Sequence, residues 1–260
     1  MIDTHAHLDF EPLRTNLVEV IQRATEIPLR AIINVGANIT SSQNSINLAQ
    51  HYKNIFASVG IHPDDIHEFE NKETEEELEL LIKNERVVAV GEIGLDYYRL
   101  DPKDMIKKEN QQKYFRFQIQ LAKKYKLPII VHSRSSADDI LRLVREEQPS
   151  KAVMHCFAYD LDFAEKFLAL NTKYMISFTG IVTFPNAKTT QDAAKHIPLE
   201  KIMIETDSPF LAPQAYRGKT NEPSYVVEVA KKISELKNIS VEEVVKKTDS
   251  NAISFFGLSI

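Results

Sequence analysis

Two histidines stand two residues apart near the start of the chain, in Ile2-Asp3-Thr4-His5-Ala6-His7-Leu8-Asp9. Residues i and i+2 of a β-strand point the same way, so both imidazoles would enter one space, and neutral imidazole is a favoured ligand of zinc and similar divalent ions. A strand end whose histidines face solvent would account for the pair alone. Further ligand types, however, close separate apolar runs: Glu92 after Val87-Val88-Ala89-Val90-Gly91, His132 after Ile129-Ile130-Val131, His155 after Val153-Met154, and Asp207 after Ile202-Met203-Ile204-Glu205-Thr206. A carboxylate in such a place is costly to bury without a cation, which for Glu92 means a metal or a lysine or arginine partner. Six ligands exceed one tetrahedral site. With one carboxylate bridging, they divide between two divalent cations, an arrangement that holds the attacking and leaving oxygens of a hydrolysis.

These residues need a frame that brings them together. Eight short apolar runs rich in β-branched residues, at 1–5, 30–35, 55–60, 87–92, 128–132, 152–155, 174–178 and 201–206, read as strands. Segments of helical period at 16–26, 41–51, 74–83, 110–126, 137–147 and 163–171 alternate with them, and two more, at 224–236 and 241–247, follow the last. Strict alternation predicts a parallel sheet covered by helices, and eight units are the number that closes a (β/α)8 TIM barrel. An open doubly wound sheet is the rival, but no glycine-rich dinucleotide loop follows any strand. Gly36, Gly60, Gly91, Gly94 and Gly180 all fall at or just past predicted strand ends, where the chain must turn closely. With no repeat or composition break, residues 1–260 read as a single barrel domain of the metal-dependent hydrolase type.

In such a barrel, sites are built at the C-terminal strand ends. Glu205 shares the face of Asp207 one layer deeper, which suggests a residue that orients a ligating histidine, and Asp3 is expected to do the same beneath His5 and His7. His62, in Val59-Gly60-Ile61-His62-Pro63, occupies the rim without an evident ligand partner and reads as a substrate contact. His51 and His67 lie in polar segments and His196 near a predicted helix end before Ile197-Pro198, and all three read as surface residues. Cys156 follows His155 directly, so continued strand alternation would send its thiol to the opposite face as a core residue.

Hydrophobic residues at 43% and charged residues at 27% suit a soluble globular protein. The net charge of −5 offers no global basic field for nucleic acid, although bound cations would add local positive charge that this figure omits. One cysteine forbids an internal disulfide and suits a reducing compartment. No basic-apolar leader or membrane-length apolar run is present, so the expectation is a cytoplasmic protein with no membrane association and no obligate protein partner.

Several segments, in order, resemble the TatD family of metal-dependent deoxyribonucleases among the amidohydrolase-like barrels. They are Thr4-His5-Ala6-His7-Leu8-Asp9, Val59-Gly60-Ile61-His62-Pro63, Gly91-Glu92-Ile93-Gly94-Leu95-Asp96-Tyr97, Val131-His132-Ser133-Arg134, His155-Cys156-Phe157, Glu205-Thr206-Asp207-Ser208-Pro209 and Arg217-Gly218-Lys219-Thr220-Asn221-Glu222-Pro223. The resemblance implies that His5, His7, Glu92 and Asp207 hold one metal and Glu92, His132 and His155 the other. It implies phosphodiester hydrolysis on DNA, single-stranded or at 3′ ends, often exonucleolytic. The histidines favour Zn²⁺ or Mn²⁺ by ligand softness, whereas the resemblance points to Mg²⁺. Within that scheme Glu92 bridges, Asp207 accepts the proton of the attacking water, and Arg134, Arg217 and Lys219 contact phosphate. Tyr97 and Tyr98 are stacking or packing residues. Two other readings remain open: the same metals could hydrolyse an amide, lactone or aminoacyl ester, or stabilise a non-catalytic interaction module.

Overall fold

The computed structural model describes residues 1–71, 73–98, 100–101 and 103–260. Each apolar run folds as a strand: β1 (Ile2–Ala6), β2 (Ala31–Val35), β3 (Ile55–Val59), β4 (Val87–Asp96), β5 (Ile129–Arg134), β6 (Ala152–Met154), β7 (Met175–Phe178) and β8 (Ile202–Ile204). All seven sequential pairs are parallel, giving one eight-stranded sheet in chain order. The seam between β1 and β8 is closed by one parallel bridge, Ala6 with Ser208, so the strands form a nearly closed TIM barrel. Around it lie α1 (Leu17–Thr25), α2 (Ile39–His51), α3 (Thr74–Ile82), α4 (Met105–Tyr125), α5 (Ala137–Glu147), α6 (Leu161–Ala169), α7 (Lys188–His196), α8 (Val226–Lys237) and α9 (Val241–Phe256).

Both faces of the sheet are buried, for different reasons. One set of side chains, including Ile32, Ala57, Val131, Met154, Ile176 and Ile204, packs outward against the helices. The other, including Ile2, Ile33, Phe56, Ile130, Val153 and Met203, fills the barrel interior, where Phe255 and Phe256 at the end of α9 join it. α9 runs nine residues beyond the end expected from sequence, because its last turns cover this interior. Of α7 the sequence showed only a helix end near His196. Its sequence Lys-Thr-Thr-Gln-Asp-Ala-Ala-Lys-His carries no aliphatic stripe, and its buried side chains are Thr190, Ala193 and Ala194.

Helix starts follow ordinary capping chemistry. The Asn38 side chain accepts from Ser41 N at 2.8 Å, Asp160 from Phe163 N at 2.9 Å and Ser240 from Glu243 N at 3.1 Å, each satisfying an amide that has no partner within its helix. Among the described residues, no helix is long and apolar enough to cross a membrane.

Candidate metal centre

Side chains climb the barrel interior in steps of two, from apolar to ligand. Ile130, His132 and Arg134 form such a column on β5, and Val153–His155 and Met203–Glu205 run in parallel, with His155 and Glu205 just past the ends of β6 and β8. Near the mouth they surround a cavity of about 610 Å³.

Glu92 is the centre of the cluster. Its Oε1 lies 2.6 Å from His155 Nε2 and 2.7 Å from His132 Nδ1, while its Oε2 lies 3.4 Å from His5 Nε2 and 3.6 Å from His7 Nε2. Each carboxylate oxygen therefore faces one histidine pair. Asp207 Oδ1 approaches the first pair from the other side, 3.7 Å from His5 Nε2 and 3.6 Å from His7 Nε2. Within each pair the ring nitrogens face one another, at 3.1 Å between His5 and His7 and 3.2 Å between His132 and His155.

The outer hydrogen bonds decide which nitrogen is free to bind a cation. His7 Nδ1–H donates to the Val35 carbonyl at 2.9 Å, leaving the Nε2 lone pair aimed at the cluster. His132 Nε2–H donates to Asp96 Oδ2 at 3.3 Å, which presents Nδ1 inward. His155 presents Nε2 inward with Nδ1 3.4 Å from Glu205 Oε1, an oxygen already accepting from the Cys156 amide at 2.7 Å. Among the described residues, the Nδ1 atoms of His5 and His155 are buried without a hydrogen-bond partner. A set of inward lone pairs around two carboxylates fits divalent cations of intermediate softness, and ligand atoms of His5, His7 and Glu92, of His5, His155 and Asp207, and of His62, Glu92 and His132 each gather within 4.8 Å.

Electrostatics agree with this donor set. Burial opposes charge on Glu92 more than any other single influence, yet His155, His132 and His5 together hold its carboxyl well below the usual range. Asp207, likewise penalised by burial, is held down by His7, His5 and His155. The reverse holds for His155, whose burial is outweighed by Glu92 and Glu205 so that its pKa rises well above that of free imidazole.

His62 sits beside this cluster, with Nε2 3.7 Å from Glu92 Oε1 and its ring 4.4 Å from that of His132. Burial pushes its pKa down to about 3, so it is neutral. Its Nδ1 accepts from Asp64 N at 3.1 Å, which puts the proton on Nε2 and makes that atom a donor in this arrangement. The sequence showed no ligand partner for His62 because Glu92 and His132 reach it only through the fold, whereas the Asp64 amide is a local contact two residues along the chain.

Three expectations need correcting. Asp3 orients no histidine ring. It is buried, accepts from Thr206 N at 2.9 Å, Thr206 Oγ1 at 2.6 Å and the His5 amide at 3.3 Å, and thereby ties β1 to the segment after β8. Burial pushes its carboxyl up to about 8. Cys156 does not point away from the site: it has φ 46°, breaking the strand alternation, and it lines the cavity with Sγ 3.8 Å from Thr179 Oγ1. Arg134 lines the cavity as expected of its column, but Arg217 and Lys219 do not. Arg217 lies 4.2 Å over the Phe184 ring and Lys219 5.6 Å from that of Tyr216.

Asp96 had no role assigned from sequence. Its Oδ2 holds His132, its Oδ1 accepts from Tyr98 N at 2.9 Å, and its own amide donates to Gln111 Oε1 at 3.0 Å. The signal was its place two strand steps beyond Glu92, on a strand longer than the apolar run suggested. Asn221 was passed over for a similar reason. It is buried in the polar segment after β8 and donates to the carbonyls of Thr206 at 2.8 Å and Phe210 at 2.6 Å, pinning the loop that carries Asp207.

A parallel barrel with a histidine–carboxylate cluster at its C-terminal mouth defines a metal-dependent hydrolase of the TIM-barrel class. The TatD related DNase family model matches residues 2–257, and the chain belongs to that family. It is 40% identical over 265 residues to YabD, an uncharacterised metal-dependent hydrolase of Bacillus subtilis, with all of both chains covered. Identity to the Escherichia coli metal-dependent hydrolase YcfH is 36% over 261 residues, covering 98% of this chain and 95% of that one. Among solved structures, the E. coli TatD homologue YjjV superposes with a TM-score of 0.92 at 30% identity, covering 100% of this chain and 98% of that one. A TatD-family hydrolase of Entamoeba histolytica gives 0.86 at 28% identity, covering 98% and 97%.

Proposed function

We propose that this protein hydrolyses phosphodiester bonds of DNA, with single-stranded or 3′-terminal segments as its substrate and exonucleolytic cleavage from the 3′ end as its mode. The observation that carries the reading is the pair of anion-directed donors beside the cluster. Arg134 stands in the interior column above His132 with its guanidinium 3.9 Å over the Tyr98 ring, and the neutral His62 turns an N–H inward from another side. A guanidinium resting over an aromatic ring keeps its donor fork for phosphate oxygens.

His5, His7, Glu92 and Asp207 are assigned to one cation, and Glu92, His132 and His155 to a second, with Mg²⁺, Mn²⁺ and Zn²⁺ all compatible with the donors. Bound divalent cations would supply Lewis acidity, withdrawing charge from phosphoryl oxygens and making a water acidic enough to attack near neutral pH. Asp207, held ionised by His7 and His5, is placed to accept the proton of that water. Glu92 keeps the two histidine pairs in register, one oxygen to each. Asp96 holds the outer nitrogen of His132, Glu205 faces that of His155 at 3.4 Å, and Arg134 and His62 position the phosphate.

The test is DNA binding by metal-replete protein at several salt concentrations, beside turnover of DNA and of a neutral ester. Arg134→Ala is expected to weaken DNA affinity and to flatten the slope of log K against log salt by about one unit. Absent DNA affinity together with robust ester hydrolysis that ignores Arg134 would refute the phosphodiesterase reading in favour of a carbonyl substrate.

A further inference from the structure

Large aromatic side chains are exposed at two places among the described residues, Tyr98 at 63% and Phe210 at 50%. Phe210 lines the cavity, and Tyr98 lies against Arg134, which lines it too. Tyr98 lies just past β4 and Phe210 just past β8, and strands four apart in an eight-stranded barrel are diametrically opposed. The mouth thus carries an open aromatic ring on each side. Tyr98 is covered on one face by Arg134, whereas Phe210 has no cation over it among the described residues and is backed by rings instead: its centroid is 6.3 Å from Phe10 and 6.3 Å from His7, both edge-to-face, and Phe10 stacks on His7 at 4.7 Å.

Phe210 is also held firmly. Its amide donates to the Asp207 carbonyl at 2.9 Å and its carbonyl accepts from Asn221 Nδ2 at 2.6 Å. A buried asparagine therefore fixes the backbone of an exposed phenylalanine three residues from a cluster carboxylate. An apolar ring left half in water and anchored at a cavity wall is already in place for a flat partner.

We propose that Phe210, supported by Phe10, is the stacking platform for one nucleobase of the substrate, that of a nucleotide adjoining the scissile phosphate. This deepens the phosphodiesterase reading above and rests on it. The spacing supports the assignment, since Phe210 is one ring away from His7, and a base is one sugar away from its phosphate. With phosphate over the cluster, one neighbouring base falls against Phe210 while the chain continues toward Arg134 and Tyr98 across the mouth. Stacking reads a π-face without reading its edge, so the platform favours nucleotides over simple phosphodiesters with little preference among bases.

The test uses metal-replete full-length protein and short single-stranded DNA with phosphorothioate linkages at the 3′ end to slow cleavage. 2-Aminopurine, whose fluorescence is quenched by stacking, is placed at the 3′-terminal nucleotide in one oligonucleotide and at the preceding nucleotide in another. Wild type should quench one of the two, Phe210→Ala should lose that quenching, and Phe210→Tyr should keep it. In parallel, kcat/KM on unmodified DNA relative to DNA with a tetrahydrofuran abasic nucleotide at the responsive position should favour the base by about 5- to 150-fold in wild type, the worth of one base–aromatic stack, and approach unity in Phe210→Ala. Quenching at neither position, or the same quenching and ratio in Phe210→Ala as in wild type, overturns the platform while leaving the nuclease reading intact. Failure of wild type to bind or cut any of these oligonucleotides overturns both.

Discussion

Gly94 is where the barrel leaves least room, and replacing it should disable the site more than the fold. Gly94 pairs with His132 across β4 and β5 and has φ 151°. A Cβ added there would lie 1.9 Å from the His132 carbonyl oxygen, 2.9 Å from its carbon and 3.0 Å from its nitrogen. All three are backbone atoms, so no side-chain rotation relieves the contact. Bringing the oxygen from 1.9 Å to a tolerable 3.0 Å needs a retreat of about 1.1 Å, and His132 must share it. A displacement of ~1 Å at a reacting centre costs ~10²-fold in rate, and a non-glycine residue in sparsely populated backbone space costs about 1–3 kcal/mol. Gly94→Ala is therefore expected to lose ~10²-fold in turnover, to retain less metal after dialysis, and to melt roughly 2–12 °C lower, at about 2–4 °C per kcal/mol for a chain of this size. Gly257→Ala supplies the control. It has φ 69° at the end of α9 but no atom within 4 Å of its added Cβ, so it should lose stability from backbone strain without losing turnover. The measurements are thermal melts, metal content and rates on one substrate for the three proteins. Wild-type turnover in Gly94→Ala would show that closeness of the two strands is not what positions His132.

Glu92→Ala removes the one group that faces both histidine pairs, so turnover should vanish and metal content fall while the circular dichroism stays that of wild type, because the apolar interior lies below the cluster. Retained turnover would take Glu92 out of the mechanism. Away from the chemistry, Arg23 of α1 donates from Nε and Nη2 to the Glu222 carboxylate at 2.6–2.9 Å, joining that helix to the segment after β8. Glu222→Ala should cost about 1–2 kcal/mol, below the range for a fully buried pair because the Arg23 side chain is 45% exposed, and this would appear as a melting point lower by about 2–8 °C. An unchanged melting curve would mean that the pair contributes nothing net.

The amino-acid sequence by itself determined the alternation of strands and helices, since apolar periodicity is a local property that eight runs display one after another. It also showed His5, His7, Glu92, His132, His155 and Asp207 closing apolar runs, where a polar residue marks the boundary between barrel interior and mouth, although β4 and β5 continue past Glu92 and His132. Tertiary structure decided what no local pattern carries. Closure of β1 against β8 turned Asp3 from a histidine's partner into a tie across the seam, since Thr206 becomes its neighbour only when strands 203 residues apart in sequence meet. Extension of β4 past its apolar run brought Asp96 to His132, and the positive φ of Cys156 overrode the period of two just where the strand ended and the alternation lost its hydrogen-bonded support. Periodicity assigns a face, whereas the partner waiting on that face is set by closure of the barrel.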